Sequence, residues 1–374
     1  MSTVKVNTIQ DSSGSVDLLN YANGSATGIA VNSGRKNLII NGAMQVAQRG
    51  TSGFTTHNTY TLDRWKVYEN TVSGSFTVSQ DTDAPANFKN SLKFLVGTAG
   101  TPSASSVSHI RYLIEGNDFA RLGFGTSDAQ TYTVSFWVKS SIAGTYCLGT
   151  LNNAENRSIA KEYTINSANT WEYKTITIAG DTSGTYLTDN GKGIQLIWDL
   201  GSDSAFNQTV DTYSSTLDFK TSNQTTLISN AGATFYLTGV QLEVGSVATP
   251  FEHRSYGEEL ALCQRYYQRL TNEDGIATRF GIGNANSSSA VDFRIPLTTE
   301  MRTTPAFTSS SGNIQISSGY LGYSYTSLAL HGVVSTGRNV GIQATGVSGV
   351  TQGNTYYIEG KIDRNAWLGF DAEL

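Results

Sequence analysis

The sequence predicts an all-β protein: an antiparallel β-sandwich, a single short helix, and a second, smaller β-domain. Three observations predict it. Apolar and polar residues alternate through run after run, the period-2 signature of half-buried strands. Gly, Ser, Asn and Asp punctuate those runs, as turns require. Only one stretch, "YGEELALCQRYYQRL" at 256–270, has helical spacing. Strands without intervening helices argue for an antiparallel sandwich and against an α/β fold.

Residues 1–36 carry few apolar side chains in a Ser-, Gly- and Asn-rich setting and read as an extended arm. Strand signals begin with "NLIINGAMQVAQRG" (37–50) and define a first domain over 37–255. In "YTVSFWVKSS", Val134, Phe136 and Val138 alternate against Ser135, Trp137 and Lys139. In "TWEYKTITIAG", Trp171 and Tyr173 take one face, Ile176 and Ile178 the other. "GIQLIWDLG" aligns Ile194, Leu196, Trp198 and Leu200. "ATFYLTGVQLEVG" changes phase between Leu237 and Val240, and the glycine at 239 predicts a β-bulge there.

The helical stretch follows as a connector over 256–272. Ser255 and Glu258 fit a capping box, and Glu258 and Glu259 suit the positive end of the helix dipole. Leu260, Cys263, Tyr267 and Leu270 form a stripe that must pack on something. Two partners are open: the end of the preceding sandwich, or identical helices around a symmetry axis. Residues 273–374 then return to β pattern, with "AVDFRIPL", "NTYYIEGKI" and "AWLGFDAEL" as strands of the distal domain.

The composition narrows the function. A hydrophobic content of 38%, with 38 glycines in 374 residues, is enough for real cores. Charged residues make up 15%, below the usual ~25%, and hydroxyls and amides replace them. A net charge of −5 leaves no basic footprint for nucleic acid. No apolar run is long enough for membrane insertion, and "MSTVKVNTIQ" lacks a signal peptide's apolar core. Cys147 and Cys263 exclude a disulfide scaffold; they are two buried thiols or one bridge.

No nucleotide loop, GxSxG elbow or clustered metal ligand is present, so neither a cofactor nor a metal is expected. Asp199 with Asp203, or Glu115 with Asp118, could serve as carboxylate pairs, and "DTDAP" (81–85) and "GSDSAFN" (201–207) could offer oxygens to Ca²⁺. Turn-forming is the plainer role for both loops. Arg64 in "TLDRWKV" reads as a ligand contact or, better, as half of an Asp63–Arg64 pair beside a core Trp65. The strongest binding signal is aromatic. "GYLGYSYTSLALHG" (319–332) sets Tyr320, Tyr323 and Tyr325 among Gly and Ser, the chemistry of adaptable recognition loops and of sugar-stacking surfaces.

"NLIINGAMQVAQRG", "YTLDRW" and above all "VQLEVGSVATPFEHRSYGEELALCQRYY", with the later "IPLTTEMRTTPAFT" and "FDAEL", resemble a module of bacteriophage tail-fibre and related virion proteins over about 37–374. "MSTVKVNTIQDSSGS" is similar to arm segments of marine phage fibres and appendages. The resemblance implies a jelly-roll sandwich like a carbohydrate-binding module, a helix and a distal β-domain. It implies a homotrimer on a virion with a role in host attachment, and it supplies no catalytic residues. The leading reading is a non-enzymatic fibre or receptor-binding protein, attached to other virion proteins through the arm and contacting host surface glycans. The alternatives are a capsid decoration or head/tail appendage with no receptor role, and a polysaccharide-degrading depolymerase.

Overall fold

The structure, a computed structural model, describes residues 8–10, 17–22, 25–26, 35–71, 73–272, 277–310, 312–319, 321–332, 337–361 and 365–374. It divides into two units, 1–37 and 38–374. In the first, strands β1 (Thr8–Gln10), β2 (Asp17–Ala22) and β3 (Ser25–Ala26) pair antiparallel in that order.

The second unit begins with a segment that departs from expectation. "NLIINGAMQV" makes turns, not a strand. Asn41 and Met44 stand at φ 58° and 55°, and the Asn41 side chain bonds both the N–H and the C=O of Val46 at 2.9 and 2.8 Å. A side chain that can tie its own loop in this way competes with ladder pairing. The apolar residues Ile39, Met44 and Val46 are still fully buried.

The first sandwich follows as a jelly roll of β4 (Thr59–Tyr60), β5 (Trp65–Glu69), β6 (Phe76–Asp81), β7 (Ser91–Val96), β8 (Ser108–Glu115), β9 (Tyr132–Ser140), β10 (Gly144–Asn152), β11 (Ser158–Ile165), β12 (Glu172–Ile178), β13 (Lys192–Asp199) and β14 (Thr234–Val244). One sheet runs β11-β10-β13-β8-β5-β4, the other β12-β9-β14-β7-β6. Their inner faces meet in an aromatic core. Trp65 lies 5.5 Å from Trp198 and 4.9 Å from Tyr112, and Phe136 meets Trp198 edge-on at 5.8 Å. The predicted bulge is present: the β14–β9 register slips between Thr238 and Gln241, with Gly239 at φ 60°.

Helix α1 (Gly116–Phe119) is one turn after β8; helix α2 is Tyr256–Gln264. Ser255 caps α2, accepting from the Glu258 N–H at 3.3 Å. The helix ends six residues short of the expected 270. Tyr267–Thr271 form β15, paired residue for residue with β24 (Trp367–Asp371). Tertiary ladder bonds thus override a marginal helical preference. Tyr267 and Leu270 therefore do not extend the Leu260–Cys263 stripe. Cys263 and Tyr266 pack with Ile40 and Val46, and Leu260 lies against them, so α2 docks on the sandwich.

The distal block adds β16 (Arg279–Ala285), β17 (Ala290–Pro296), β18 (Ala306–Ser309), β19 (Ile314–Ser318), β20 (Leu321–Tyr323), β21 (Ser327–Leu330), β22 (Asn339–Thr345) and β23 (Thr355–Gly360). A seven-stranded sheet, β20-β19-β23-β16-β17-β22-β21, and a three-stranded sheet, β15-β24-β18, share a second core that includes Phe293, Ile295, Ile316, Ile342, Ile358 and Phe370.

Charge joins the two blocks beside a small apolar cluster, in which Leu374 packs against Ile40, Val46, Cys263 and Tyr266. Arg64, fully buried at φ 72°, pairs with Glu373, stacks on Tyr266 at 3.5 Å and donates to the Leu113 C=O at 2.6 Å. Its expected partner, Asp63, instead accepts from the Gln48 side chain and backbone at 2.6 Å each, while Trp65 is in the core as expected. Next to this pair Arg49 contacts Asp371 at 2.9 Å and Tyr267 at 3.6 Å. Arg265 and Tyr266 bind Glu115 at 2.6 and 2.7 Å. Burial alone would raise Glu115's pKa; these donors outweigh it and hold the carboxylate below its ordinary range.

Candidate functional site

The outer side of the five-stranded sheet carries an aromatic row built by register. Tyr173 on β12 sits opposite Trp137 on β9, which sits opposite Thr238 on β14 just before the bulge. The Trp137 and Tyr173 rings are 5.4 Å apart. The bulge glycine lets the row continue. A Cβ at Gly239 would lie 2.7 Å from Phe88 and 3.1 Å from Trp137, so any larger residue would push these rings apart. Phe88 in turn meets Phe251 at 5.1 Å and His253 at 5.3 Å. Tyr173 is 44% exposed, and Trp137 and Phe88 are half-buried: the rings are anchored at one edge and open at the other.

A second row runs beside it. Trp171 Nε1 donates to Asp83 Oδ1 at 2.9 Å, and Lys139 pairs with the same carboxylate. Lys139 lies 4.4 Å from the centre of the Tyr236 ring. Lys93 bonds Asp81 at 3.1 Å. The hydrogen bond from Lys139, offset in part by burial, keeps Asp83 ionised below its usual range. The face thus offers flat apolar rings flanked by fixed hydrogen-bonding groups, the two things a saccharide needs: partners for its C–H faces and for its hydroxyls.

The loop singled out from sequence lies elsewhere, in the distal block. Tyr323 and Tyr325, with Gln315, Thr326 and Lys361, line a cavity of about 460 Å³. Tyr323 meets Tyr356 edge-on at 5.4 Å. Both tyrosines also pack on the second core. Tyr320 lies outside the described residues. Of the proposed oligomerisation stripe, Cys263 is wholly buried, Tyr267 nearly so and Leu270 packs on the second core, so these three side chains face the chain's own interior. Leu260 is half-buried.

Three of the four candidate carboxylates, Glu115, Asp199 and Asp203, have structural partners. Glu115 is bound by Arg265 and Tyr266. Asp199 is buried and accepts from the Gly201 and Ser202 N–H groups at 2.9 and 3.2 Å. Burial, against those bonds, raises its pKa to about 6. Asp203 caps a short turn at Ala205. Of the two loops considered for Ca²⁺, the first has Asp81 and Asp83 paired with lysines, and in the second Asp203 is taken up by the Ala205 N–H. Among the described residues no group of three His, Cys, Asp or Glu could hold a metal ion. Both cysteines are free and buried. Burial pushes the Cys147 thiol up to about 11.

No family model matches the chain. No curated protein matches it either. Solved structures resemble it distantly. The enzymatically active domain of tailspike protein 4 from bacteriophage CBA120 is 12% identical with a TM-score of 0.32; the match covers 56% of this chain and 21% of that one. TmCBM61 in complex with β-1,4-galactotriose is 11% identical with a TM-score of 0.29, covering 56% of this chain and 100% of that one. The C-terminal family 22 carbohydrate binding module of Clostridium thermocellum Xyn10B is 9% identical with a TM-score of 0.29, covering 55% and 100%. At such identity and score nothing about ligand or activity transfers.

Proposed function

We propose that this chain is a non-catalytic glycan-binding protein of a bacteriophage virion, a fibre or receptor-binding subunit that attaches the particle to host surface saccharides. One observation carries the binding part: the open aromatic row Tyr173–Trp137–Phe88, braced by the Gly239 bulge and bordered by the Asp83–Lys139–Trp171 cluster. A surface of this kind holds a sugar without reacting with it. The virion setting, the homotrimer and particle attachment through 1–36 rest on the resemblance of "VQLEVGSVATPFEHRSYGEELALCQRYY" to phage fibre modules. A trimer, in this reading, uses surfaces other than the buried side of α2.

A glycan array probed with the full chain and with Trp137→Ala tests the proposal. Retention of specific spots by the wild type and their loss in the variant is the expected result. An array blank for both returns the chain to a purely structural appendage, and release of reducing sugar from host envelope glycans makes it a depolymerase. The cavity beside Tyr323 and Tyr325 supports a second location for the same activity. Spots lost in Tyr323→Ala and kept in Trp137→Ala select it.

A further inference from the structure

The opposite sheet carries a different chemistry. Its outer side is covered over β10 and β13, where Phe219 packs on Leu151 and Ile197. Beside this cover, Lys66 and Tyr68 project from β5, Arg111 from β8 and Lys192 from the start of β13. The Arg111 guanidinium lies 4.3 Å from the centre of the Tyr68 ring, and Lys66 Nζ 5.2 Å from it. His109 stacks on Tyr68 at 5.0 Å. Tyr68 is nonetheless only half-buried.

One carboxylate meets these cations. Glu155 Oε1 accepts from Arg111 Nη1 at 3.0 Å and from Gln195 Nε2 at 3.2 Å, and lies 3.8 Å from Lys192 Nζ. Glu155 is delivered by a turn between β10 and β11 at φ 54°, a backbone state that side chains other than glycine rarely adopt. Among the described residues no carboxylate pairs with Lys66, so Lys66, Arg111 and Lys192 outnumber the single acid in a chain that is acidic as a whole. Lys192 registers the crowding: burial first, then the nearby Arg111 and Lys66, lower its pKa against the pull of Glu155.

We propose that this face binds a carboxylated saccharide such as a uronate oligomer, and that Glu155 is a built-in stand-in for the ligand's carboxylate. The cradle of Arg111, Gln195 and Lys192 already holds such a group. Lys66 supplies the charge that Glu155 leaves unmatched, and Tyr68 supplies a ring beside it for the sugar's C–H face. When the ligand arrives, its carboxylate takes the Glu155 position and the turn swings outward. The choice of a saccharide rests on the glycan-binding reading above; the anion cradle does not, and it shares no residue with the aromatic row.

Titration calorimetry of the full chain with tri-galacturonate and, in parallel, neutral galactotriose tests the site. The acidic trisaccharide binds it, more weakly at high salt. Lys66→Ala/Lys192→Ala loses about tenfold, Glu155→Gln gains roughly fivefold, and Trp137→Ala leaves this binding unchanged. Melting curves of the variants confirm that they fold; both lysines are partly exposed. Unchanged binding in the double variant, or weaker binding in Glu155→Gln, overturns the site. Equal competition by a poly-glutamate peptide overturns the saccharide assignment. Loss in Trp137→Ala alone moves acidic sugars to the aromatic row, leaving the proposed function standing while this inference falls.

Discussion

The two β-blocks of residues 38–374 solve the same problem differently. The first sets large rings, Trp65, Trp198, Tyr112 and Phe136, in contact among its aliphatics. The second fills its interior mostly with branched aliphatics, Val291, Ile295, Ile316, Val340, Ile342 and Ile358. Between them the contacts change kind: Arg64–Glu373, Arg49–Asp371 and Arg265–Glu115. Apolar burial is non-directional and makes each block compact. Buried ion pairs are directional, and they fix how one block meets the other.

The largest effects should come from emptying either core. Trp198→Ala and Phe293→Ala are each expected to cost about 3–5 kcal/mol. If the charged seam couples the blocks, both variants melt in one transition by calorimetry; two separate transitions would break the comparison by showing that the seam carries nothing. Next is the seam itself. Arg64→Ala strands Glu373 in a buried site and is expected to destabilise by about 3 kcal/mol in urea unfolding. Arg64→Ala/Glu373→Ala, lacking the orphaned charge, should recover part of that loss; no recovery would assign the cost to Arg64's packing on Tyr266.

A smaller effect is expected from Asp199. Its folded pKa, about 6, exceeds the ordinary aspartate value of 3.8, so the folded state binds the proton more tightly. Stability contributed by this group is present below 3.8 and falls as pH rises to about 6. Asp199→Asn should flatten that window by about 2 kcal/mol and keep the turn, because its Oδ1 still accepts from Gly201. Unfolding curves at pH 4 and pH 7 decide it: an equal loss at both pH values would contradict the assignment. Among these effects the smallest on stability should be Trp137→Ala. With one edge of the ring already in water, its melting temperature should barely move while glycan affinity drops about tenfold.

Much of this architecture was legible in the sequence, and the misses are instructive. The phase change across Thr238–Gly239 showed the bulge because side-chain alternation has a strict period of two. The same alternation already placed Trp137 among polar neighbours and Trp171 with Tyr173 opposite two isoleucines. The aromatic row was therefore half visible; what sequence could not show was that β12, β9 and β14 lie side by side in that register. Tyr267 and Leu270 misled because helical spacing is local, whereas their ladder partner lies about a hundred residues away on β24. Arg64 misled for a related reason: an adjacent acid is a weaker guide than a distant one that the fold brings in. His109 is buried under Tyr68, a stacking across β5 and β8 that the sequence alone does not show.

The pairing of Arg64 with Glu373 has a consequence for biogenesis. The two residues are 309 positions apart. At a synthesis rate of about 5–20 residues per second, the guanidinium waits roughly 15–60 seconds on the ribosome before its counter-ion exists. During that interval a nascent first sandwich holds a cation without Glu373 to meet it, and the closing of its end waits for the distal block. Translation speed over residues 65–373 thereby sets how long that cation stays unpaired.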